Sequence, residues 1–520
     1  MTTERIGYHA FRDRVMTAAE AARLIRDKET VATSGFGAGG TPKALPRAIS
    51  ALAKERHAQG QPFAIRLFTG ASTMTDVDGI LADADAVSFR MPYMSDPAMR
   101  KKINAGCIAY VDTHLSRIAP WIRAGFFGKI DVAIVEVAQI KADGGLVPTF
   151  AIGNAQTWLE LADRVIIEVN TWHSPQIEGL HDLWNTAASD AALTLARISD
   201  PGVRVGEKVL RVDPAKVAAV VLTHEAEQSI AFRQDEDAVT IAGHILDFLQ
   251  HEVTHGRLPR KLPPLQSGVG NIANAVMGGL ANAPFDNLTA YTEVIQDGML
   301  DMLRSGRMKA ISGAALYLSP ACADFVNAEM SAFRDKIVLR AQEVSNSPSV
   351  VRALGAIAMN AAIEVDIYGN VNSTRVTGSR VQNGIGGSGD FSRSAMLSIF
   401  MTPSVAKNND ISSIVPMVSH VDHINQDVHV VVTEHGLADL RGLSARARAR
   451  QIIEHCAHPI YRPLLRDYLE RSTQHTGGDT PHMLSEAFSW HQRLMDTGTM
   501  MPRSAVPIFP EEGYLPILRR

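Results

Sequence analysis

The two halves of this 520-residue chain carry the same short motifs in the same order. Ser34-Gly35-Phe36-Gly37 opens one helical stretch, and Ser267-Gly268-Val269-Gly270 opens another 233 residues later (267 − 34). "LFTG…DGIL" around Thr69 matches "AYTE…DGML" around Thr292 at a spacing of 223 (292 − 69). "KADGGLVPT", with Asp143, matches "EVDIYGNVNST", with Asp366, again at 223, and "AIGNAQTW" from Ala151 matches "GIGGSGDF" from Gly384 at 233. One such match means little, because glycine turns are common. Four in one order at nearly one offset imply an internal duplication. The chain must therefore fold into two similar units, and a ligand is expected in the cleft between them.

Each unit reads as α/β. "FAIRLFTG", "IDVAIVEV", "RVIIEV" and "VAAVVL" are short, continuously apolar, β-rich runs of the kind buried in parallel sheets. They alternate with helical stretches such as "TPKALPRAISALAKERH" and "AVTIAGHILDFLQHEV". The expected organisation is an α/β domain over 1–228, a second over 229–500, and a Pro-rich tail over 501–520. The boundary falls in the charged stretch "EAEQSIAFRQDED".

Composition removes several function classes. With 46% hydrophobic and 20% charged residues and a mean hydropathy of −0.01, this is ordinary globular material. A net charge of −4 argues against binding nucleic acid through its phosphates. No apolar run approaches the length of a membrane span, and the first twenty residues do not resemble a secretory signal. Cys107, Cys322 and Cys456 are too scattered for a disulfide framework, which fits a reducing cytoplasm.

The informative places are those where the copies differ. Gly70 in the first corresponds to Glu293 in the second, and Asn154-Ala155-Gln156 to Gly387-Ser388-Gly389. The second copy thus holds a carboxylate at a strand end, where open α/β sheets bind ligands, together with a bare-backbone loop. By itself Glu293 reads equally as a solvated residue at a strand exit. "QSGVGN", 266–271, could turn the amides of Val269 and Gly270 toward an anion, or be a tight turn. "NGIGGSGDF", 383–391, has four glycines in six residues and admits a ligand close to its main chain. Neither loop fits a dinucleotide or phosphate-loop fingerprint. Asn346, in "QEVSNSP", reads first as a turn residue that could instead orient a carboxylate. His420, His423, Glu434 and His435 match no zinc spacing, so no metal site is expected and satisfied polar residues at strand ends are.

Taken together, "SGFGAGGTPK", "LQSGVGNIANAV", "YTEVIQDGMLDML", "EVSNSP", "IYGNVNST", "NGIGGSGDFSRS", "IVPMVSHVDH" and "VTEHGLADLRGLS" resemble the class I coenzyme A transferases of the acetyl-CoA hydrolase/transferase group. The resemblance is strongest to the bacterial succinyl-CoA:acetate transferases. It implies two similar open α/β domains with the active site in the interdomain cleft. It implies that Glu293 is a nucleophile forming a glutamyl-CoA thioester, that the amides of Val269 and Gly387 form an oxyanion hole, and that Asn346 holds the Glu293 carboxylate. Coenzyme A, a substrate and not a tightly bound cofactor, would lie against Gly268, Val269, Gly270, Asn271, Ile272, Ile363, Asn383, Gly387 and Lys407. The partners implied are acyl-CoA, short-chain carboxylates and a second copy of the chain. Three other readings stay open: a thioesterase, a sugar-phosphate isomerase on a related fold, and a non-catalytic CoA-binding protein.

Overall fold

The computed structural model describes residues 3–184, 195–228 and 235–502. The four runs read as buried strands all lie in the first of two mainly parallel sheets. The first contains β1 (Thr30–Thr33), β2 (Ile65–Ser72), β3 (Val87–Met94), β4 (Ala109–Tyr110), β5 (Val132–Ile140), β6 (Arg164–Asn170) and β7 (Val217–Thr223). Their spatial order is β4-β3-β2-β1-β5-β6-β7, and every neighbouring pair is parallel. β5, VAIVEVAQI, is buried at all but one of its positions, as a strand covered on both faces must be.

The second sheet contains β8 (Leu265–Ser267), β9 (Leu288–Tyr291), β10 (Met308–Gly313), β11 (Ile337–Arg340), β12 (Ile357–Ala361), β13 (Leu397–Met401) and β14 (Val430–Thr433). Its order, β11-β10-β9-β8-β12-β13-β14, is that of the first sheet strand for strand, again with parallel pairs. The helices repeat as well. Ala155–Leu161 and Ser388–Ser394 begin 233 residues apart (388 − 155) and have the same length. The duplication is therefore structural. Asp143 and Asp366 even do the same local job, each accepting a main-chain N–H two residues on, from Gly145 (3.0 Å) and Tyr368 (3.0 Å).

Sheet membership departs from the halves of the chain at one place. His181–Asp182, from the first half, adds a parallel strand beside β11. Its anchor is a buried ion pair between Asp182 and Arg340, whose Nε also donates to Ser312 Oγ (2.8 Å). At the opposite edge Gly436–Asp439 folds back antiparallel to β14. Among the described residues no helix is long and apolar enough to cross a membrane. The tail from residue 503 and the 229–234 part of the expected boundary lie outside the described residues.

Candidate active site

Both sheets end at a common cleft of about 380 Å³. The first half contributes Phe36, Gly37, Ala71, Thr73, Tyr93 and Ser95; the second contributes Gly268, Val269, Glu293, Tyr317, Ile363, Asn383 and the Gly384–Ser388 loop. Glu293 stands where β9 stops. Thr292 N–H still donates to Ser312 O (2.9 Å), and its hydroxyl donates to Ser267 O (3.1 Å). The Glu293 carbonyl accepts from Ala314 N–H (2.7 Å) and Ala315 N–H (3.1 Å). The backbone is thus pinned on both sides, and the half-buried side chain projects from a fixed origin into the cleft.

The glycine loop meets that carboxyl. Gly387 N–H donates to Glu293, and a Cβ on Gly387 would collide with both the Glu293 carboxyl and Asn346 Oδ1. Only glycine allows this approach. Across the cleft, the Val269 amide has no acceptor among the described residues and sits on a segment fixed by Gly268. Gly268 N–H donates to Met359 O (3.0 Å), and its carbonyl accepts from Gln296 Nε2 (2.9 Å). Gly270 has φ +130°, a conformation side chains rarely adopt, and caps the helix Asn271–Asn282.

Electrostatics set the carboxyl apart. Burial, reinforced by the negative charge of Asp390, pushes Glu293 up to about 8; the Gly387 N–H bond pulls the other way. Burial raises Asp390 as well, although it accepts from Ser116 N–H (2.9 Å) and Ser116 Oγ (2.6 Å). Burial and Glu293 together raise the Tyr93 phenol, and burial raises Tyr317, so both stay neutral donors. No lysine, arginine or histidine lines the cleft among the described residues.

Of the residues singled out in the sequence, Gly268, Val269, Glu293, Ile363, Asn383 and Gly387 come together at the cleft. Asn346 is fully buried beside them, with Nδ2 donating to Gln342 O (3.2 Å) and Ser345 Oγ (3.1 Å). Its Oδ1 has no hydrogen-bond partner and faces Gly387 next to the Glu293 carboxyl. Gly270, Asn271 and Ile272 stand behind Val269 at the helix start and do not line the cleft. Lys407 is exposed at the tip of a hairpin between Val405–Ala406 and Ile411–Ser412, away from the lining. The residues near 420–435 are tied into hydrogen bonds: His423 to Ser373, Ser388 and Ser392, and Glu434 to Ser404. Sequence reasoning missed Thr73, Tyr93, Tyr317 and Asp390. Only Asp390 carried a signal, being part of the glycine motif itself.

A second ionisable cluster lies in the first half. Lys43 is buried and donates to Glu136 Oε1 (2.9 Å) and Glu227 Oε2 (2.8 Å), with His173 Nε2 3.3 Å from Glu227 Oε1. Glu136, His173 and Glu227 are grouped closely enough to ligate a cation, but the Lys43 ammonium already bridges the two carboxylates.

These motifs also match known proteins across the chain. Residues 2–221 fit the acetyl-CoA hydrolase/transferase N-terminal domain, and residues 324–469 fit its C-terminal domain. The chain belongs to the acetyl-CoA hydrolase/transferase family. It is 44% identical to a succinyl-CoA:acetate CoA-transferase of Clostridium kluyveri, over 96% of this chain and 92% of that protein. It is 46% identical to a propanoyl-CoA:succinate CoA transferase of Escherichia coli, over 94% and 98%. It is 39% identical to an acetyl-CoA hydrolase of Schizosaccharomyces pombe, over 96% and 98%. Family membership rules out reading the cleft as that of an isomerase.

Proposed function

We propose that this protein transfers coenzyme A between short-chain carboxylates, with succinyl-CoA and acetate giving acetyl-CoA and succinate as the leading pair. One observation carries the reading: a strand-end carboxyl faces a cleft in which the amide of Gly387 touches it and the amide of Val269 is unused. Glu293 attacks the acyl-CoA carbonyl and expels CoA thiolate, giving an acyl-glutamyl anhydride. The thiolate attacks the glutamyl carbonyl, releases the first acid as its carboxylate, and leaves a glutamyl-CoA thioester. The acceptor carboxylate runs the two steps backward and restores free Glu293. Covalent catalysis splits one difficult exchange into easier ones. Each tetrahedral species carries an oxyanion that main-chain donors stabilise, each donor lowering the barrier by about 3–4 kcal/mol. No proton has to be relayed, which suits a cleft without histidine among the described lining residues.

Asn346, fully buried beside Glu293, turns its Oδ1 to the carboxyl, where it can accept the proton of the neutral acid and restrict the side chain, and the CoA pantetheine runs past Gly268, Ile363 and Asn383. Hydrolysis is the second reading, favoured by the hydrolase half of the family description and the S. pombe relative. We further propose two domains, 1–228 and 229–500, and a homodimer working in the cytoplasm on small-molecule substrates. The test incubates the protein with succinyl-CoA, reduces with borohydride, and maps the modified residue by mass spectrometry. Reduction at Glu293 is expected; an unmodified Glu293 under turnover refutes the mechanism. CoA release with and without acetate separates transfer, which needs the acceptor, from hydrolysis, which does not.

A further inference from the structure

The glycine loop that supplies the Gly387 donor is gripped by the other half of the molecule. Ile385 N–H, two residues before Gly387, donates to Asp112 Oδ1 (2.9 Å). Asp390, three residues after it, accepts from both the amide and the hydroxyl of Ser116. Between these two points the loop has no room to move toward the first half. A Cβ on Gly384 would lie 2.6 Å from the Tyr110 hydroxyl and 2.9 Å from Asp112 Oδ1; one on Gly389 would strike the His114 ring. Gly386 faces the Tyr93 ring. The segment from Tyr110 to Ser116 begins at the end of β4 of the first sheet, whereas the donor and the nucleophile both belong to the second half.

We propose that Asp112 and Ser116 are positioning residues that set the Gly387 N–H against the reacting glutamyl oxygen, so that the first half completes an oxyanion site it does not itself contain. The inference rests on the nucleophile reading above. An N–H···O bond to a developing oxyanion depends steeply on alignment, and a misplacement of about 1 Å can cost about 100-fold in rate. With one hydrogen-bonded grip on each side of Gly387, weakening either lets the loop pivot about the other; Ser116→Ala strips the shorter of Asp390's two bonds and leaves only the main-chain N–H. The Ser388 hydroxyl and Asn383 amide still tie it to its own half, through His423 and Ser373, so the loop persists while its aim is lost. The bland alternative is that these contacts only glue the halves together.

The test uses the full-length protein as wild type, Ser116→Ala, Ser116→Thr, Asp112→Ala and the double alanine variant. It records kcat, KM for acyl-CoA and for acetate, the thermal midpoint, and the rate at which succinyl-CoA produces borohydride-trapped Glu293. Expected are a fall in kcat of about 10-fold for each single alanine variant and about 100-fold for the double. Acyl-CoA KM stays within about two-fold, trapping slows in step with kcat, and Ser116→Thr stays near wild type because it keeps the hydroxyl. Should Asp112→Ala not fold, Ser116→Ala, which removes one hydroxyl only, decides the matter. Wild-type kcat in the alanine variants overturns the proposal, as does a loss confined to KM or to the thermal midpoint. The two readings fail differently: no trapping at Glu293 in the wild type refutes the nucleophile, whereas wild-type trapping matched by Ser116→Ala refutes the positioning role alone.

Discussion

Replacing Glu293 with glutamine should stabilise the fold at alkaline pH and leave it nearly unchanged at acid pH. The carboxyl titrates near 8 in the folded protein because burial and Asp390 disfavour its charged form. In the unfolded chain it titrates near 4.5. Between those values the folded state binds the extra proton, so stability falls as pH rises. The contribution of the neutral acid is whole below 4.5 and is lost as pH climbs through 8. The full difference corresponds to about 5 kcal/mol, at about 1.4 kcal/mol per pH decade. Glu293 is only half-buried and its cleft is open to water, so screening reduces this to about 2–3 kcal/mol. Glutamine keeps the shape and never ionises, and it escapes the loss. The assay compares thermal midpoints of wild type and Glu293→Gln from pH 5 to pH 9. The variant's advantage should grow from near zero at pH 5 to several degrees, most of it gained between pH 5 and 8. A pH-independent difference between the two proteins would refute the claim that the cleft holds this carboxyl against its charge.

Glu293→Ala should abolish CoA transfer, by at least about a thousand-fold in kcat, while circular dichroism remains native. Asn346→Ala should slow kcat by about 10- to 100-fold with a smaller change in acyl-CoA KM, because its buried amide touches the reacting group and not the pantetheine. The carboxylate, not the acid, attacks, so kcat/KM for acyl-CoA should rise with pH toward a plateau, with a midpoint near the value at which Glu293 ionises, about 8. A flat profile from pH 6 to 9 would contradict the environment described here.

Local chemistry was legible in the sequence and docking was not. The strand run "LTAYTE" and the glycine motif are contiguous, so comparing the two copies singled out Glu293 and the Gly387 loop, while their roles came from the family resemblance; the helices now seen at Ala44–Ala58 and Glu236–Thr254 were legible from their own pattern. Duplication implied that the two sheets would share one strand order, because two copies related by one offset fold alike, but the order itself is seen only in the structure. Tyr93, Asp112 and Ser116 act across the interface between halves, and "VDTHLSR" carries neither periodicity nor glycine to mark that role. His181–Asp182 is a strand only because β11 lies beside it; a two-residue strand has no alternation to read. Lys43 sat in a recognised motif, yet its burial depends on Glu136 and Glu227, which are 93 and 184 residues away.

The two copies also explain why one cleft suffices. In the first half Gly70 and Gly153 stand where Glu293 and Gly386 stand in the second, and a Cβ at either would run into the Gly35 carbonyl oxygen. The main chain has folded into the space that the second half leaves for substrate. The Lys43–Glu136–Glu227 cluster consolidates the sheet end nearby, with the Lys43 ammonium bridging both carboxylates. A carboxylate at position 70 would therefore meet the Gly35 carbonyl oxygen and Gln342 Oε1, two acceptors, and burying it there would be unfavourable by several kcal/mol. In the second half the counterpart of Gly35 is Gly268, whose would-be Cβ has nothing nearer than Met359 O at 3.7 Å. That slack around Gly268 leaves the cleft open beside Val269, the room the proposed thioester would need. The first copy, closed by its own backbone, is free to serve as the wall that holds the glycine loop. Chemistry and support have been divided between two folds that began alike, and the division turns on whether one glycine loop folds inward or stands clear.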